Sequence, residues 1–390
     1  MAEGRFALEA LVDEAVARAG ADDFGEPTWR QGLEILLDGL EQEARLSDIG
    51  VEIATSGIVD YLATRLALTD WRDSHPEVAG GTVRQPIVIV GQPRTGTTIL
   101  YDLLAQDPSL RAPLTWEVDK PVPPPETESY RTDPRIAEVQ ATIDMVESVM
   151  PGFMSFHAMG ALLAQECVRI TAADFRSMIF HTQFRVPSYN RWLLYEADLA
   201  PAYRWHRRYL QHLESRHPAV QWLLKSPAHL WSLDALAAEY PDAIVVQTHR
   251  DPLKVIASVS ALVAHLRRMS SDEVEMAEIA EGYAEDIFLG LDRGMAARDA
   301  GAFPPEQVVD VHFAAFRDDP LATVRTLYLA LGRELTDATE ARMRSFLDRH
   351  PDDGGGGRYQ FSDTELDADV LRERSRPYQE RYAVASEPVR

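Results

Sequence analysis

Apolar residues recur at three- and four-residue spacing through most of the first 78 residues. The pattern is clear in ALEALVDEAVARAG (7–20), in TWRQGLEILLDGLEQEARLS (28–47) and in EIATSGIVDYLATRLALTDWRDSHPE (52–77). This period predicts amphipathic helices. The segment has no run that resembles a strand. We therefore predict that residues 1–84 form a helical N-terminal extension that packs on a core built by the rest of the chain.

The pattern changes at Gln85, where short apolar runs begin to alternate with helical stretches. The runs that predict strands are IVIV at 87–90, QWLL at 221–224, AIVV at 243–246 and VVDV at 308–311, and SLRAPLTWE at 109–117 predicts a further short strand that ends at Glu117. Alternation of this kind indicates a parallel sheet that is covered on both faces by helices. We predict an α/β fold of three layers over residues 85–390, with a mostly helical insertion at about 119–217.

The charge balance limits the partners that this chain can bind. Its 390 residues include 39 basic and 62 acidic ones, a net charge of −23, and such a surface repels nucleic acid and anionic lipid. The single cysteine, Cys167, excludes an internal disulfide and zinc sites that need several thiolates. We find no apolar run of membrane-spanning length and no secretory signal. The sequence therefore favours a cytoplasmic protein. Because the net charge is strongly negative, any anion-binding site must be a local cluster of basic residues and backbone N–H groups.

The stretch GQPRTGTT at 91–98 lies between the first predicted strand and a helix, which is the layout of a phosphate-binding P-loop. Gly91 and Gly96 have Walker A spacing, so successive backbone N–H groups and the helix N-terminus can surround an anion. Thr97 stands where nucleotide hydrolases have a lysine. The strand that could supply a magnesium aspartate ends instead in Thr248-His249-Arg250. A Mg–ATP site needs that lysine and those carboxylates, so the pattern favours a polyanion held without a metal.

Two motifs resemble the sulfotransferases that use 3′-phosphoadenosine 5′-phosphosulfate (PAPS). PRTGTT at 93–98 resembles the 5′-phosphosulfate loop of that family. THRDPLKVIASV at 248–259 resembles its 3′-phosphate motif, in which an arginine precedes a serine by eight residues, here Arg250 and Ser258. The match is closest to the branch that includes the tyrosylprotein sulfotransferases and many bacterial sulfotransferases. It covers the chain from about residue 85 to the C-terminus.

The resemblance implies PAPS as the sulfuryl donor, adenosine 3′,5′-bisphosphate (PAP) as the product, and no requirement for a metal. It implies that the phosphosulfate binds to the loop and that the 3′-phosphate binds to the second motif and to a C-terminal loop at about 352–362. The expected donor-binding residues are Arg94, Thr95, Gly96, Thr97, Thr98, Arg250, Ser258 and Arg358. Lys225 and Arg94 are expected to assist the transfer.

The acceptor must lose a proton, and Glu117 is our first choice for the general base. Its place after the loop resembles that of the catalytic glutamate in the tyrosylprotein branch. The cytosolic branch uses a histidine in a KTH stretch after a strand. Here Lys225 is kept, but Pro227 occupies the histidine position. His229 and His157 remain alternative bases.

The sequence thus favours transfer of a sulfuryl group to a hydroxyl of a small-molecule, lipid or glycan acceptor. Two alternatives stay open: a P-loop kinase that uses Mg–ATP, and a nucleotide-binding protein without turnover. The segment 150–215 is rich in Phe, Met, Trp and Tyr, and the proline-rich loop at 119–134 precedes it. They are expected to line the acceptor pocket and favour an apolar or aromatic alcohol. The N-terminal helices could also form a homodimer interface.

Overall fold

The structure is a computed structural model that describes residues 5–149, 159–350 and 359–389. The chain divides into two compact units. The first, called here the helical unit, contains Met1–Val83, Pro113–Ala219 and His265–Val274. The second, called the sheet unit, contains Arg84–Ala112, Val220–Ala264 and Glu275–Arg390. The N-terminal segment and the predicted helical insertion therefore belong largely to one unit.

The elements follow the predicted alternation of helices and strands. In chain order the α-helices are α1 Leu8–Ala19, α2 Thr28–Gln42, α3 Asp48–Ser74, α4 Thr97–Leu104, α5 Thr115–Asp119, α6 Pro134–Val149, α7 Cys167–Thr171, α8 Ile179–Gln183, α9 Pro187–Tyr195, α10 Ala200–Glu214, α11 Leu233–Glu239, α12 Pro252–Arg267, α13 Met276–Asp299, α14 Phe313–Asp318, α15 Pro320–Ala330, α16 Asp337–Arg349 and α17 Ala368–Tyr382. The strands are β1 Ile87–Gly91, β2 Leu223–Lys225, β3 Ile244–His249 and β4 Val308–His312. In the described part of the chain, none of these helices is both long and apolar enough to cross a bilayer.

The first three helices form where the apolar period predicts them. Their apolar faces join a core of the helical unit that includes Leu33, Leu36, Leu62 and Phe175, all fully buried. Helix α3 starts at a capping residue, Ser47, whose hydroxyl accepts a hydrogen bond from the backbone N–H of Gly50 at 3.1 Å. Such a cap satisfies one of the N–H groups that a helix start leaves without a partner.

The sheet unit is built on four parallel strands in the order β2-β1-β3-β4. Every residue of β1 is buried, which explains why the strand is a continuous apolar run rather than an alternating one. The carboxyl ends of β1, β2 and β3 lead into the loop at 91–98, Lys225 and Arg250. In parallel sheets this edge is where ligands bind. The α/β prediction is confirmed.

The prediction of a strand at 109–117 is wrong. Only Arg111 pairs there with the sheet, in an isolated bridge to Trp222. Pro113 has no N–H to continue such a ladder, and its carbonyl accepts a hydrogen bond from Gln165 N–H at 2.8 Å instead. The chain then turns into the short helix α5, so Glu117 lies in the first turn of a helix and not at a strand end.

Candidate active site

The loop between β1 and α4 has a backbone that side chains would obstruct. Gly91 has φ 137°, and a Cβ atom there would lie 2.7 Å from the carbonyl oxygen of Thr248 on β3. Gly96 has φ 80° and directly precedes α4. Arg94 also adopts a left-handed conformation, with φ 66°, which is uncommon for a residue other than glycine. The loop therefore has the tightly curled backbone in which successive N–H groups can surround an anion.

Two threonine hydroxyls hold this loop against the neighbouring strand. The Thr95 hydroxyl donates a hydrogen bond to the carbonyl of Gln92 at 2.7 Å and lies 2.6 Å from the hydroxyl of Thr248. Both threonines are buried. Thr248 lies at the end of β3, the place where a Mg–ATP enzyme would have an aspartate that binds magnesium. Thr248 was not among the predicted site residues. It contacts the loop because β1 and β3 are neighbours in the sheet, and the sequence alone does not show which strands are neighbours.

Lys225 and Thr98 meet at the start of α4. The Lys225 ammonium donates a hydrogen bond to the Thr98 hydroxyl at 3.2 Å and lies 5.7 Å from the centroid of the Tyr101 ring. Lys225 is the last residue of β2 and is almost fully buried, as is Thr97. The end of β2 thus brings a cation to the helix N-terminus that follows the loop, where an anion would be stabilised.

Arg94, Arg250 and Ser258 are also brought together, although they come from the two separate motifs. The Nε of Arg94 donates to the Ser258 hydroxyl at 3.0 Å, and Nη1 of Arg250 donates to the Arg94 carbonyl at 2.8 Å. The Arg250 guanidinium also lies 4.1 Å from the centroid of the Phe313 ring. The two motifs predicted to bind opposite ends of one donor are therefore joined by direct contacts.

Two further residues that sequence reasoning missed, Asp251 and Glu387, connect the second motif to the C-terminal part of the chain. Asp251 accepts two hydrogen bonds from Nη1 of Arg372, at 2.6 and 2.7 Å. Glu387 accepts from Arg250, at 2.9 Å from Nε and 3.3 Å from Nη2. The position of Asp251 beside Arg250 was a signal that could have been used. Nothing in the local sequence distinguishes Glu387.

His249, which precedes Arg250, is part of a buried polar network. One ring nitrogen lies 2.8 Å from the Tyr378 hydroxyl and the other lies 2.9 Å from a carboxylate oxygen of Asp310. Burial lowers the pKa of His249, although the contact with Asp310 opposes this shift. The neutral ring therefore donates to Asp310 and accepts from Tyr378. This residue, next to Arg250 in the chain, connects the end of β3 to Tyr378 of α17.

Glu117 lies in the helical unit and is fully buried. Its Oε1 accepts hydrogen bonds from the backbone N–H of Leu114 and from the Tyr130 hydroxyl, both at 2.9 Å. The first of these bonds closes the first turn of α5, as glutamates at this position do in capping boxes. Tyr130 and Trp116 belong to an apolar cluster beside the carboxylate. The Glu117 side chain thus stabilises the start of α5, whether or not it also acts in catalysis.

The other predicted residues are placed as follows. His229 is buried in the short 3-10 helix Pro227–Ser232, which follows β2. Arg358 and His157 lie outside the described residues. Gln92, which was not predicted, is a buried side chain at 1% exposure, and its amide nitrogen and oxygen have no hydrogen-bond partner among the described residues.

Comparison with known proteins identifies the family. Residues 86–337, well over half of the chain, match the model of the sulfotransferase family. The chain belongs to the sulfotransferase family. It is therefore a transferase that moves a sulfuryl group, and the resemblance in the two motifs is confirmed at the level of the family.

This sulfotransferase has mycobacterial relatives. It is 25% identical over 277 residues to the omega-hydroxy-beta-dihydromenaquinone-9 sulfotransferase Stf3 of Mycobacterium bovis, a match that covers 68% of each protein. It is similar to the crystal structure of sulfotransferase STF9 from Mycobacterium avium, with a TM-score of 0.89, 28% identity and 97% of each chain covered. The corresponding values for STF1 from Mycobacterium tuberculosis are 0.85 and 31%, with 95% of this chain and 99% of that chain covered.

Proposed function

We propose that this sulfotransferase uses PAPS as its donor and transfers the sulfuryl group to a hydroxyl of a small-molecule, lipid or glycan acceptor. The observation that carries the proposal is the contact between the two phosphate motifs, in which Arg94 donates to Ser258 and Arg250 donates to the Arg94 carbonyl. A donor with anionic groups at its 5′ and 3′ positions needs two cationic sites at a fixed separation. Direct contacts between the motifs supply that fixed separation.

The residues of the sheet unit have the chemistry that such a donor requires. The N–H groups of the curled loop, Arg94 and the hydroxyls of Thr97 and Thr98 would bind the 5′-phosphosulfate. The guanidinium of Arg250, which can bind an anion through two N–H groups at once, would hold the 3′-phosphate together with Ser258. We assign Arg358 to the same phosphate by the family resemblance alone.

Transfer needs a hydroxyl oxygen that can attack and a leaving oxygen that can accept charge. The acceptor oxygen forms a bond to the donor sulfur, the bond from that sulfur to the bridging oxygen breaks, and the electron pair of this bond leaves with PAP. Lys225 and Arg94 would stabilise the negative charge that grows on the leaving oxygen, as preorganised donors do. Glu117 would take the hydroxyl proton, a contribution of typically 10²–10⁴-fold to the rate.

Glu117→Gln tests the base. A glutamine can still accept hydrogen bonds from Leu114 N–H and Tyr130 at its amide oxygen, so the start of α5 should stay intact while proton transfer is lost. We expect turnover to fall by about 10²–10⁴-fold with PAP affinity unchanged. His229→Gln is the matched comparison for the alternative base. Loss of turnover in His229→Gln, with Glu117→Gln fully active, would assign the proton transfer to the histidine.

A ligand screen tests the donor and separates the alternatives. The thermal midpoint is measured with PAP, with PAPS and with Mg–ATP. A ligand present at 100 times its dissociation constant should stabilise the protein by about 2.7 kcal/mol. Stabilisation by Mg–ATP alone would favour a kinase. Stabilisation by PAP without sulfation of any acceptor would favour a binding protein.

The acceptor is expected to be a hydroxylated apolar molecule. This expectation rests on the aromatic and methionine content of 150–215 and on the name of the Stf3 relative, which specifies a hydroxylated menaquinone. Isoprenoid alcohols should therefore be assayed first, followed by phenols, sterols and sugars, each with radiolabelled PAPS. Preferential sulfation of a sugar would contradict the expectation.

A further inference from the structure

The anion-binding edge of Arg250 already contacts a carboxylate of the same chain. Arg250 donates from Nε and Nη2 to the two carboxylate oxygens of Glu387, at 2.9 and 3.3 Å. This parallel two-bond arrangement is the geometry with which arginine binds carboxylates and phosphates alike. A 3′-phosphate that binds to the same edge of the guanidinium must therefore displace Glu387.

The C-terminal segment holds Glu387 near Arg250 through contacts that do not use its carboxylate. The backbone N–H of Glu387 donates to Asp251 at 2.6 Å, and its carbonyl accepts from Nη2 of Arg372 at 2.7 Å. Gln379 donates to the carbonyl of Val384 at 3.2 Å. A carboxylate tethered in this way has a high effective concentration at the arginine. It can leave the guanidinium and return while the backbone stays in place.

Arg250 does not depend on Glu387 for its position. Its Nη1 donates to the Arg94 carbonyl at 2.8 Å and its guanidinium stacks on Phe313 at 4.1 Å. The arginine is thus held on one edge and one face, and Glu387 contacts the remaining edge. Removal of the negative charge at residue 387 should leave the guanidinium in place with its anion-binding edge exposed.

We propose that Glu387 is a residue of the donor site which competes with the 3′-phosphate for Arg250. The proposal rests on the function proposed above, because it requires a 3′-phosphorylated donor at Arg250. Its consequence is a limit on affinity and on specificity. Ligands with a 3′-phosphate must displace the carboxylate, whereas adenosine 5′-monophosphate (AMP) need not. Glu387 would therefore weaken binding of PAPS and PAP selectively and hasten the release of PAP after transfer.

The test compares PAP with AMP, which differ only in the 3′-phosphate. Dissociation constants of both ligands are measured by calorimetry for wild type, Glu387→Gln and Glu387→Ala. The control is Glu380→Gln, which removes the same charge from the exposed part of α17. We expect Glu387→Gln to bind PAP about ten-fold more tightly, the scale of one charged hydrogen bond. AMP affinity should change less than about two-fold, and Glu380→Gln should match wild type.

The other outcomes separate this inference from the proposed function. Weaker PAP binding by Glu387→Gln and Glu387→Ala would mean that Glu387 orients Arg250, and unchanged PAP binding would mean that it does not compete. Equal gains for PAP and AMP would indicate a general charge effect. Each of these results would overturn the inference about Glu387 but would not contradict the proposal that PAPS is the donor. If wild type binds neither PAP nor PAPS, the proposed function fails and the inference fails with it.

Discussion

Each of the two units contains an arginine that pairs with a carboxylate, and the two pairs are built differently. In the helical unit, Arg65 donates to Asp174 at 3.1 Å and also to three backbone carbonyls. In the sheet unit, Arg250 donates to Glu387 and to one backbone carbonyl. The side chains of Arg65 and Asp174 are 2% and 0% exposed, against 13% and 23% for Arg250 and Glu387.

The difference indicates which pair can exchange its partner. Asp174 also accepts from Arg176 at 2.9 Å and from the Thr28 hydroxyl at 2.5 Å, so its oxygens are fixed from several elements. Burial lowers the pKa of Arg65 to about 10, although Asp174 opposes the shift, and the arginine therefore stays charged at neutral pH. Such a pair cannot open without leaving a buried charge. The Arg250 pair lies nearer solvent, where water or a ligand can solvate either partner when the pair opens.

The largest effect is therefore expected at Asp174. Asp174→Asn would leave two buried guanidinium groups without their shared countercharge, and removing one partner of a buried pair costs about 3–5 kcal/mol. We expect a loss of that size in the free energy of unfolding, measured with urea. PAP affinity at a temperature where the variant is folded should equal that of wild type, because the residue belongs to the packing of the helical unit.

An exposed pair provides the control for Asp174. Arg30 and Glu9 form an ion pair in which the two side chains are 43% and 70% exposed. Exposed pairs contribute about 0–1 kcal/mol, so Glu9→Gln should change the free energy of unfolding by no more than that. A loss from Asp174→Asn as small as that from Glu9→Gln would show that the buried cluster contributes no more than a surface pair.

A second prediction concerns a buried group in the helical unit to which the described residues supply no carboxylate partner. His212 is fully buried, and its Nε2 donates to the Pro121 carbonyl at 2.9 Å. Within the described part of the chain, its Nδ1 has no hydrogen-bond partner. Burial lowers the pKa of His212 to about 4, with Arg72 and Arg135 adding to the shift against the Pro121 hydrogen bond.

This pKa makes the stability of the protein depend on pH. The unfolded chain has a histidine pKa of about 6.5, so it binds a proton between pH 6.5 and 4 while the folded protein does not. The stabilisation is complete above about pH 6.5 and is lost as the pH falls towards 4, by about 3 kcal/mol in total. Thermal midpoints of wild type and His212→Gln between pH 7.5 and 4.5 should therefore converge on acidification. Parallel curves would exclude His212 as the source.

The sequence predicts well that the two motifs and Lys225 meet at one edge of the sheet, because the determinants of this arrangement are local. Glycine spacing, the Arg250–Ser258 interval and continuous apolar strands each lie within a dozen residues. In a parallel sheet, strand ends meet at one edge whatever the register. The contact between Lys225 and Thr98 follows from that geometry. The matches to the family model and to the mycobacterial structures then identify a sulfotransferase. This identification does not depend on any contact between side chains.

Other features depend on packing between distant segments and were missed for that reason. The segment 109–117 has strand-like composition, yet Pro113 and the Glu117 cap redirect it into α5. Glu387 contacts Arg250, which lies 137 positions earlier in the chain. This contact depends on where α17 ends in the fold, so the local sequence does not show it. A base assignment to Glu117 stays a prediction, because a buried carboxylate that caps a helix has the same sequence signature as a catalytic one.

The smallest of the expected effects tests whether Arg250 binds a ligand or, like Arg65, serves in the packing of the fold. Arg250→Ala removes charged hydrogen bonds to the 3′-phosphate, worth about 1.5–3 kcal/mol, so PAP should bind about 10–100-fold more weakly. AMP affinity should change far less. Arg317→Ala, which removes an exposed arginine of the same unit, is the matched control. If Arg250→Ala destabilised the fold as strongly as Asp174→Asn and weakened AMP and PAP equally, Arg250 would be a packing residue like Arg65, and its pairing with Glu387 would be structural.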